Sequence, residues 1–445
     1  MKKVLLFATA FWLVATTSLA QIIDFKVNIE FAEWKDTLIF LAANHGDALT
    51  VIDTLRTDTK GRLRQGLELH AGEYAMVCPD RSWHTLLVKD RHIKAQVTNG
   101  IIEYEKSLEN KLYSAFKSIQ DSIDRIQKII LAQPSKPSTY EKALERLEAK
   151  RTVFISLNKT AIDKTLAGKI IKATCLPFDM GYLQLHPAAS SWAKKNYFAH
   201  MDLSDPIWWY TSLFREKVRF YMTQVVAQNP DSLIEAMREL LEKSKPAAAN
   251  FRGILDTWLR QAARSKRPEL EVLFVFLVRE YLSAGACYWL DEYEIQRFTA
   301  QVDFLRNQLL GQVPPNLNVQ APEGDELAYW DKRQAFQLLL FWDPNCAHCQ
   351  VEVPQYHEVY TKYKDKGFSV VAIYIEQNAD AWKSYIAQEG LDWTNVADLE
   401  NTGNLREAFI IGETPTVLLL DHTGKIVKKR LNPNQLDAFL MQELP

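Results

Sequence analysis

Leu338-Leu339-Leu340-Phe341-Trp342-Asp343-Pro344-Asn345-Cys346-Ala347-His348-Cys349 is the stretch on which the fold of this chain turns. Leu338 to Trp342 is a short apolar run that reads as a buried strand, closed by the turn residues Asp343-Pro344-Asn345. A helical pattern follows the cysteines through Tyr356, Val359, Tyr360 and Tyr363. Two cysteines separated by two residues at a strand-to-helix junction can form a reversible disulfide with little backbone movement. The first thiol then lies at a helix N-terminus, where the dipole and free N–H groups favour the thiolate, the nucleophile of disulfide exchange.

Working outward, Phe368 to Ile375 reads as a second buried strand. Gly412-Glu413-Thr414-Pro415-Thr416 leads into Val417-Leu418-Leu419-Leu420, the turn Asp421-His422-Thr423-Gly424 and a partner strand from Lys425 to Lys429. This order predicts a βαβ unit followed by a β-hairpin. Three features carry a resemblance: Cys346-x-x-Cys349-x-x-Glu352-x-Pro354, the leader Gly311-Gln312-Val313-Pro314-Pro315-Asn316-Leu317, and Thr414-Pro415-Thr416. On these, about the last third of the chain resembles the thioredoxin superfamily, most closely the TlpA/ResA type of extracytoplasmic thiol-disulfide oxidoreductase. The resemblance implies that Cys346 attacks, that Cys349 resolves, and that Pro415 follows a cis bond beside the sulfurs. It also implies that the Thr414 backbone pairs with an extended substrate segment. Trp342, Thr414 and Pro415 are the expected substrate-binding residues.

Two further residues are candidate catalytic groups. Glu352 falls one helical turn after Cys349. A partly buried carboxyl has a raised pKa and could exchange a proton with Cys349; a solvated helix face is the bland reading. His348 can donate to the Cys346 thiolate and, when charged, stabilise it; the alternative is a spectator. Leu340 stands where many thioredoxins carry a buried acid, and Asn345 replaces the usual tryptophan. The two tuning effects could oppose each other, so the redox direction stays open. Half of a zinc site is disfavoured, because no second CxxC and no His-x3-5-His pair accompany the first. A purely structural disulfide is disfavoured by the strand-helix context, and a peroxidase by Asp343 where a threonine is wanted. No metal and no cofactor are expected.

The first twenty residues read as a cleaved secretory leader: Lys2 and Lys3, an apolar stretch from Val4 to Ala15, and the small-residue site Ser18-Leu19-Ala20. Gln21 follows, not a lipid-accepting cysteine. No other stretch reaches the ~20 apolar residues of a membrane helix, so an exported, periplasmic chain with no stable membrane span is expected. A net charge of −2 gives no bulk attraction to nucleic acid or anionic membranes. Five cysteines are too few for a disulfide-stapled scaffold, and Cys78, Cys175 and Cys287 read as small buried hydrophobes.

At 445 residues the chain is long enough for about three domains. Residues 21–100 read as a β-sandwich-like domain, with strands at Phe25–Ile29, Thr37–Ala42, Thr50–Leu55, Tyr74–Val77 and Thr85–Val88. Turn signals fall at Asn44-His45-Gly46, Asp58 to Gly61 and Ala71-Gly72. Residues 101–310 read as all-α. Leu108, Leu112, Phe116, Ile119, Ile123, Ile126 and Ile130 draw an apolar stripe that Pro134 and Pro137 end. Leu144, Leu147, Arg151 and Phe154 continue on a second helix, giving an antiparallel hairpin that could also serve as a homodimer arm. Trp192, Tyr197, Phe198, Trp208, Trp209 and Tyr210 pack between helices or line a peptide groove, with packing favoured. Asp205-Pro206 marks a helix start. Residues 311–445 form the α/β thioredoxin-like domain.

The sequence thus points to an exported enzyme exchanging disulfides with protein thiols, served by a redox-recycling partner. Folding quality control and cytochrome maturation are analogies at family level only. A second reading makes the upstream regions an envelope binding or scaffold module, with the redox domain accessory or a sensor.

Overall fold

In the computed structural model, residues 22–45, 48–132, 138–175, 190–315, 319–322, 326–327, 334–400, 406, 409 and 411–444 are described. The expected leader at 1–20, Gly46 of the first turn, Pro134, Pro137, and Asn316-Leu317 lie outside them. The chain divides into two compact units. One joins the residues up to Ala227 with Glu235–Thr257; the other joins Gln228–Ile234 with Trp258–Pro445.

The first unit opens with eight strands: β1 (Ile22–Phe31), β2 (Leu38–His45), β3 (Ala48–Arg56), β4 (Arg62–His70), β5 (Gly72–Val77), β6 (Trp83–Val88), β7 (His92–Thr98) and β8 (Ile101–Lys106). They form two four-stranded sheets, ordered β4-β1-β7-β8 and β3-β2-β5-β6. Alternation along β1 sends Phe25, Val27, Ile29 and Phe31 into a core shared with Ile39 and Leu41 of β2, Tyr74 and Met76 of β5, and Ile93 and Val97 of β7. The sandwich class holds. The helical pattern, however, begins later than Ile101: residues 101–106 are an edge strand, with Ile102 opposite Val97 and Tyr104 opposite Ala95.

The helices of this unit begin with α1 (Leu108–Ala132) and α2 (Ser138–Leu157). Leu112, Phe116, Ile119 and Ile123 bury the expected stripe of α1, whereas Leu108 is exposed. Phe116 meets Phe154 at 6.3 Å between ring centres, and the Arg151 guanidinium donates to Gln120 at 3.1 Å. These two contacts join the helices as the predicted hairpin. Further along, Asp205 caps a short 3-10 helix at Pro206–Tyr210. Tyr197 and Trp208 are buried, and Trp209 lies so close to Gly253 that a Cβ there would meet its ring at 1.8 Å. The aromatic set is therefore chiefly packing. Cys78 is buried, Cys175 half-buried, and both are free thiols.

The second unit holds the helices α3 (Pro268–Leu277) and α4 (Glu292–Leu305), then a mixed sheet with its helices. Its strands are β9 (Val319–Gln320), β10 (Glu326–Leu327), β11 (Phe336–Trp342), β12 (Phe368–Tyr374), β13 (Thr394–Ala397), β14 (Thr416–Asp421) and β15 (Ile426–Lys429). Helices α5 (Ala347–Tyr363), α6 (Ala379–Glu389) and α7 (Pro433–Glu443) connect or follow them. The sheet order is β10-β9-β13-β12-β11-β14-β15. Strand β11 is central, parallel to β12 with Leu340 opposite Ala372, and antiparallel to β14 with Leu340 opposite Val417. Leu338, Leu340 and Trp342 enter the core beneath α5, while Leu339 and Phe341 enter the core on the other face with Ile373 and Phe409. Burial on both faces explains why β11 is an unbroken apolar run. The leader joins the sheet edge: Gly311 N–H donates to the Ile426 carbonyl at 2.8 Å, and Ile426 N–H to the Gln312 carbonyl at 2.9 Å. Among the described residues, no helix is long and apolar enough to cross a membrane.

Candidate active site

The turn after β11 is built by Asp343. Its carboxylate accepts the Asn345 N–H at 3.0 Å, and its carbonyl accepts the Cys346 N–H at 3.1 Å. This holds Cys346 in an extended conformation as the N-cap of α5. Its thiol is partly exposed and donates to the Thr414 carbonyl at 3.2 Å. The Thr414-Pro415 bond is cis, as the resemblance implied. The thiol–carbonyl contact places the segment before β14 against the helix tip, 68 residues on in sequence.

The two thiols are unequal. Burial alone would raise the Cys346 thiol. Hydrogen bonds from the Thr414 side chain, the Cys349 N–H and thiol, and the His348 N–H outweigh it and bring the group below the ordinary cysteine range. Cys349 is 0% exposed. Burial pushes its thiol up to about 12, against a hydrogen bond from the Asp343 backbone and with the neighbouring Cys346 sulfur adding to the rise. Both cysteines are in the thiol form. The arrangement offers one accessible nucleophile and one sealed partner that reaches it.

His348 is exposed on the first turn of α5, and its backbone N–H is the part directed at Cys346. Glu352 is half-buried one turn beyond Cys349; burial first, and then the Glu352 carboxylate, push the Tyr356 phenol up. Thr414 and Pro415 are partly exposed beside Cys346. Trp342 is corrected: it is 0% exposed, with its ring 5.2 Å from Tyr385 and 6.4 Å from Tyr374. It backs the site and presents no docking surface. Leu340 is likewise sealed in the core beneath α5, so β11 supplies no acid under the pair. Sequence reading treated Tyr356 only as part of a helix and missed Tyr385; burial chiefly raises both phenols, with Cys349 adding a small contribution to each. Among the described residues, no group of three or more His, Cys, Asp or Glu side chains could hold a metal ion.

A central strand, a CxxC at the following helix tip and a cis-proline against it define a thioredoxin-like domain. Comparison with known proteins agrees: residues 336–426 match the thioredoxin-like family model. The thiol-disulfide oxidoreductase ResA of Bacillus cereus is 29% identical over 139 residues, 31% of this chain and 79% of that protein. Among solved structures, a domain of a possible thiol-disulfide isomerase from Cytophaga hutchinsonii is 33% identical, covering 30% of this chain and 92% of that one, with a TM-score of 0.29. The thioredoxin domain of a thiol-disulfide oxidoreductase from Bacteroides vulgatus is 26% identical, covering 31% and 98%, also at 0.29. The carboxy-terminal region of this chain carries a TlpA/ResA-like thioredoxin fold.

Proposed function

We propose that this chain is an exported thiol-disulfide oxidoreductase of the TlpA/ResA type, acting on protein substrates through Cys346 and Cys349. The observation that carries the reading is the inequality of the two thiols: one lowered and partly exposed at a helix tip, the other sealed and raised to about 12. In the reducing direction the Cys346 thiolate attacks a substrate disulfide. A mixed disulfide forms and one substrate sulfur leaves as a thiolate. Cys349 then loses its proton and attacks the Cys346 sulfur, which closes the Cys346–Cys349 disulfide and releases the second substrate thiolate. The oxidising direction is the reverse of these steps.

In this reading Glu352 exchanges the proton of Cys349, and His348 assists the Cys346 thiolate when charged. Thr414 and Pro415 shape the edge on which an extended substrate segment lies. The partners are protein thiols or disulfides and a recycling protein, in the periplasm; no cofactor is required. The ResA relatives and the leader-like first twenty residues support export. The test is insulin reduction and redox titration of the mature protein beside Cys346→Ala, with Cys349→Ala as a trap for mixed disulfides. Turnover abolished by Cys346→Ala, and covalent partners recovered on Cys349→Ala, are the expected results. Full turnover without Cys346 would end the proposal.

A further inference from the structure

The outward face of the sheet β4-β1-β7-β8 gathers basic side chains from all its strands. On β1, Lys26 and Asn28 alternate with Phe25, Val27 and Ile29, which enter the core. Lys26 stands opposite Gly66 of β4 and His92 of β7. Asn28 stands opposite Arg64 of β4 and Lys94 of β7, and Lys94 stands opposite Lys106 of β8. Neighbouring strands lie about 4.8 Å apart, so these two adjoining rows concentrate their charge within about 15 Å. They line a trough of about 520 Å³ whose lining includes no carboxylate.

Two features of this face oppose sheet stability. Like charges directly opposite each other weaken a strand pair, yet Lys94 and Lys106 form one. Among the described residues, Lys94 is ion-paired with Glu105, and no ion pair engages Lys26 or Lys106. Glycine inside a strand is also costly, yet Gly66 sits in the middle of β4. Neither its backbone angle nor its surroundings require a glycine, because a Cβ there would meet nothing within 4 Å. A larger side chain would stand in the trough opposite Lys26.

The positive zone is bounded along the strands. Two residues from Lys26 in one direction, Asp24 stands opposite Glu68. Two residues from Asn28 in the other, Glu30 is paired with Arg62 at 3.3 Å. A broad anionic surface would meet these carboxylates together with the lysines, whereas a small anion fits between them. We propose that the trough is a binding site for a compact oligoanion, a small molecule with two or more phosphate or carboxylate groups lying across β4, β1, β7 and β8. Its anionic groups supply the counter-charge that Lys26 and Lys106 lack, and its body fills the space that Gly66 leaves open. The site lies in the first unit and uses neither Cys346 nor Cys349.

The test is calorimetric titration of the full chain at low ionic strength, with tripolyphosphate and citrate as probes. One equivalent of either should bind, and added salt should weaken the binding, since these cations are exposed. Lys26→Gln and Lys106→Gln should each weaken it about tenfold, the scale of one close charge at a wet surface. Gly66→Val should weaken it at least as much while leaving the thermal midpoint unchanged or higher, because valine suits a strand better than glycine. Lys142→Gln, on an exposed position of α2, should leave binding within about twofold. Absence of binding by both probes overturns the proposal. So does binding that Lys142→Gln weakens as much as Lys106→Gln, or that Gly66→Val leaves intact. Attachment to phosphatidylglycerol vesicles without binding of either small anion would overturn it as well, by showing a membrane-facing surface instead.

Discussion

The ammonium of Lys429 lies 2.6 Å from the carboxylate of Glu271, and neither side chain is more than 6% exposed. Arg430 meets the other oxygen of the same carboxylate at 2.7 Å. One helix residue thus binds two cations at the end of β15, 158 residues away in sequence. The remaining support for Lys429 is the Gln308 carbonyl at 3.1 Å. Burial pulls the Lys429 ammonium below the ordinary lysine range in spite of Glu271. Removing the anion would leave a sealed cation with one neutral acceptor. Such losses cost about 3–5 kcal/mol, whereas replacing a whole buried pair by apolar groups is often neutral. Glu271→Gln should therefore lower the urea midpoint of the full chain markedly, and adding Lys429→Met should recover most of the loss. Equal stability of wild type and Glu271→Gln would show that the pair carries no net weight.

The unequal thiols predict a pH-resolved alkylation pattern. The thiolate is the reacting form, so a lowered thiol reacts at lower pH and a raised one only at higher pH. In the reduced protein, iodoacetamide should modify Cys346 at neutral pH and leave Cys349 untouched until the pH approaches 12. Peptide mass mapping across the pH series checks this. Parallel labelling of both cysteines near pH 8 would contradict the arrangement.

Thr414 offers two contacts to Cys346: its carbonyl accepts the thiol proton, and its side chain helps lower the thiol. Only the second favours the thiolate. Thr414→Val keeps the backbone and the shape and removes the hydroxyl. The Cys346 thiol should then rise toward the ordinary cysteine range, slowing the first attack at neutral pH, and the Cys349 thiol, which the same side chain also lowers, should rise with it. Thiolate absorbance during a pH titration is the direct readout, and an unmoved Cys346 titration would refute it.

Much of this geometry was legible before any coordinates. The apolar run into β11, the CxxC at a helix tip and the Thr414-Pro415 segment are local signals, each set by a few adjacent residues. Strand β7 went unread, although Ile93, Ala95 and Val97 alternate cleanly with polar neighbours. Edge strands β4 and β8 were harder, because most of their side chains face solvent and the alternation is blurred. Period two along β11 also contained the correct fate of Trp342: it shares a face with Leu338 and Leu340, the face covered by α5. Tyr356 and Glu271 could not be found locally. Tyr356 bonds to Leu431, 75 residues on, and Glu271 to a strand that folds back to it. No spacing within a window encodes such meetings.

Glu352 supplies the last prediction. It is the carboxyl one turn from Cys349, and the strand beneath the pair offers Leu340 instead of an acid. Burial pushes the Cys349 thiol up to about 12, so at pH 7 very little of it would carry a resolving thiolate without help. A carboxylate that accepts the proton removes much of that handicap. Glu352→Gln is close to isosteric, but it cannot take the proton. Insulin reduction should slow by about tenfold to a hundredfold at pH 7 and recover as the pH rises, since hydroxide then does what the carboxylate did. The Cys346 titration should stay in place. Exchange rates and thiol titrations identical to wild type across the pH range would remove Glu352 from the mechanism.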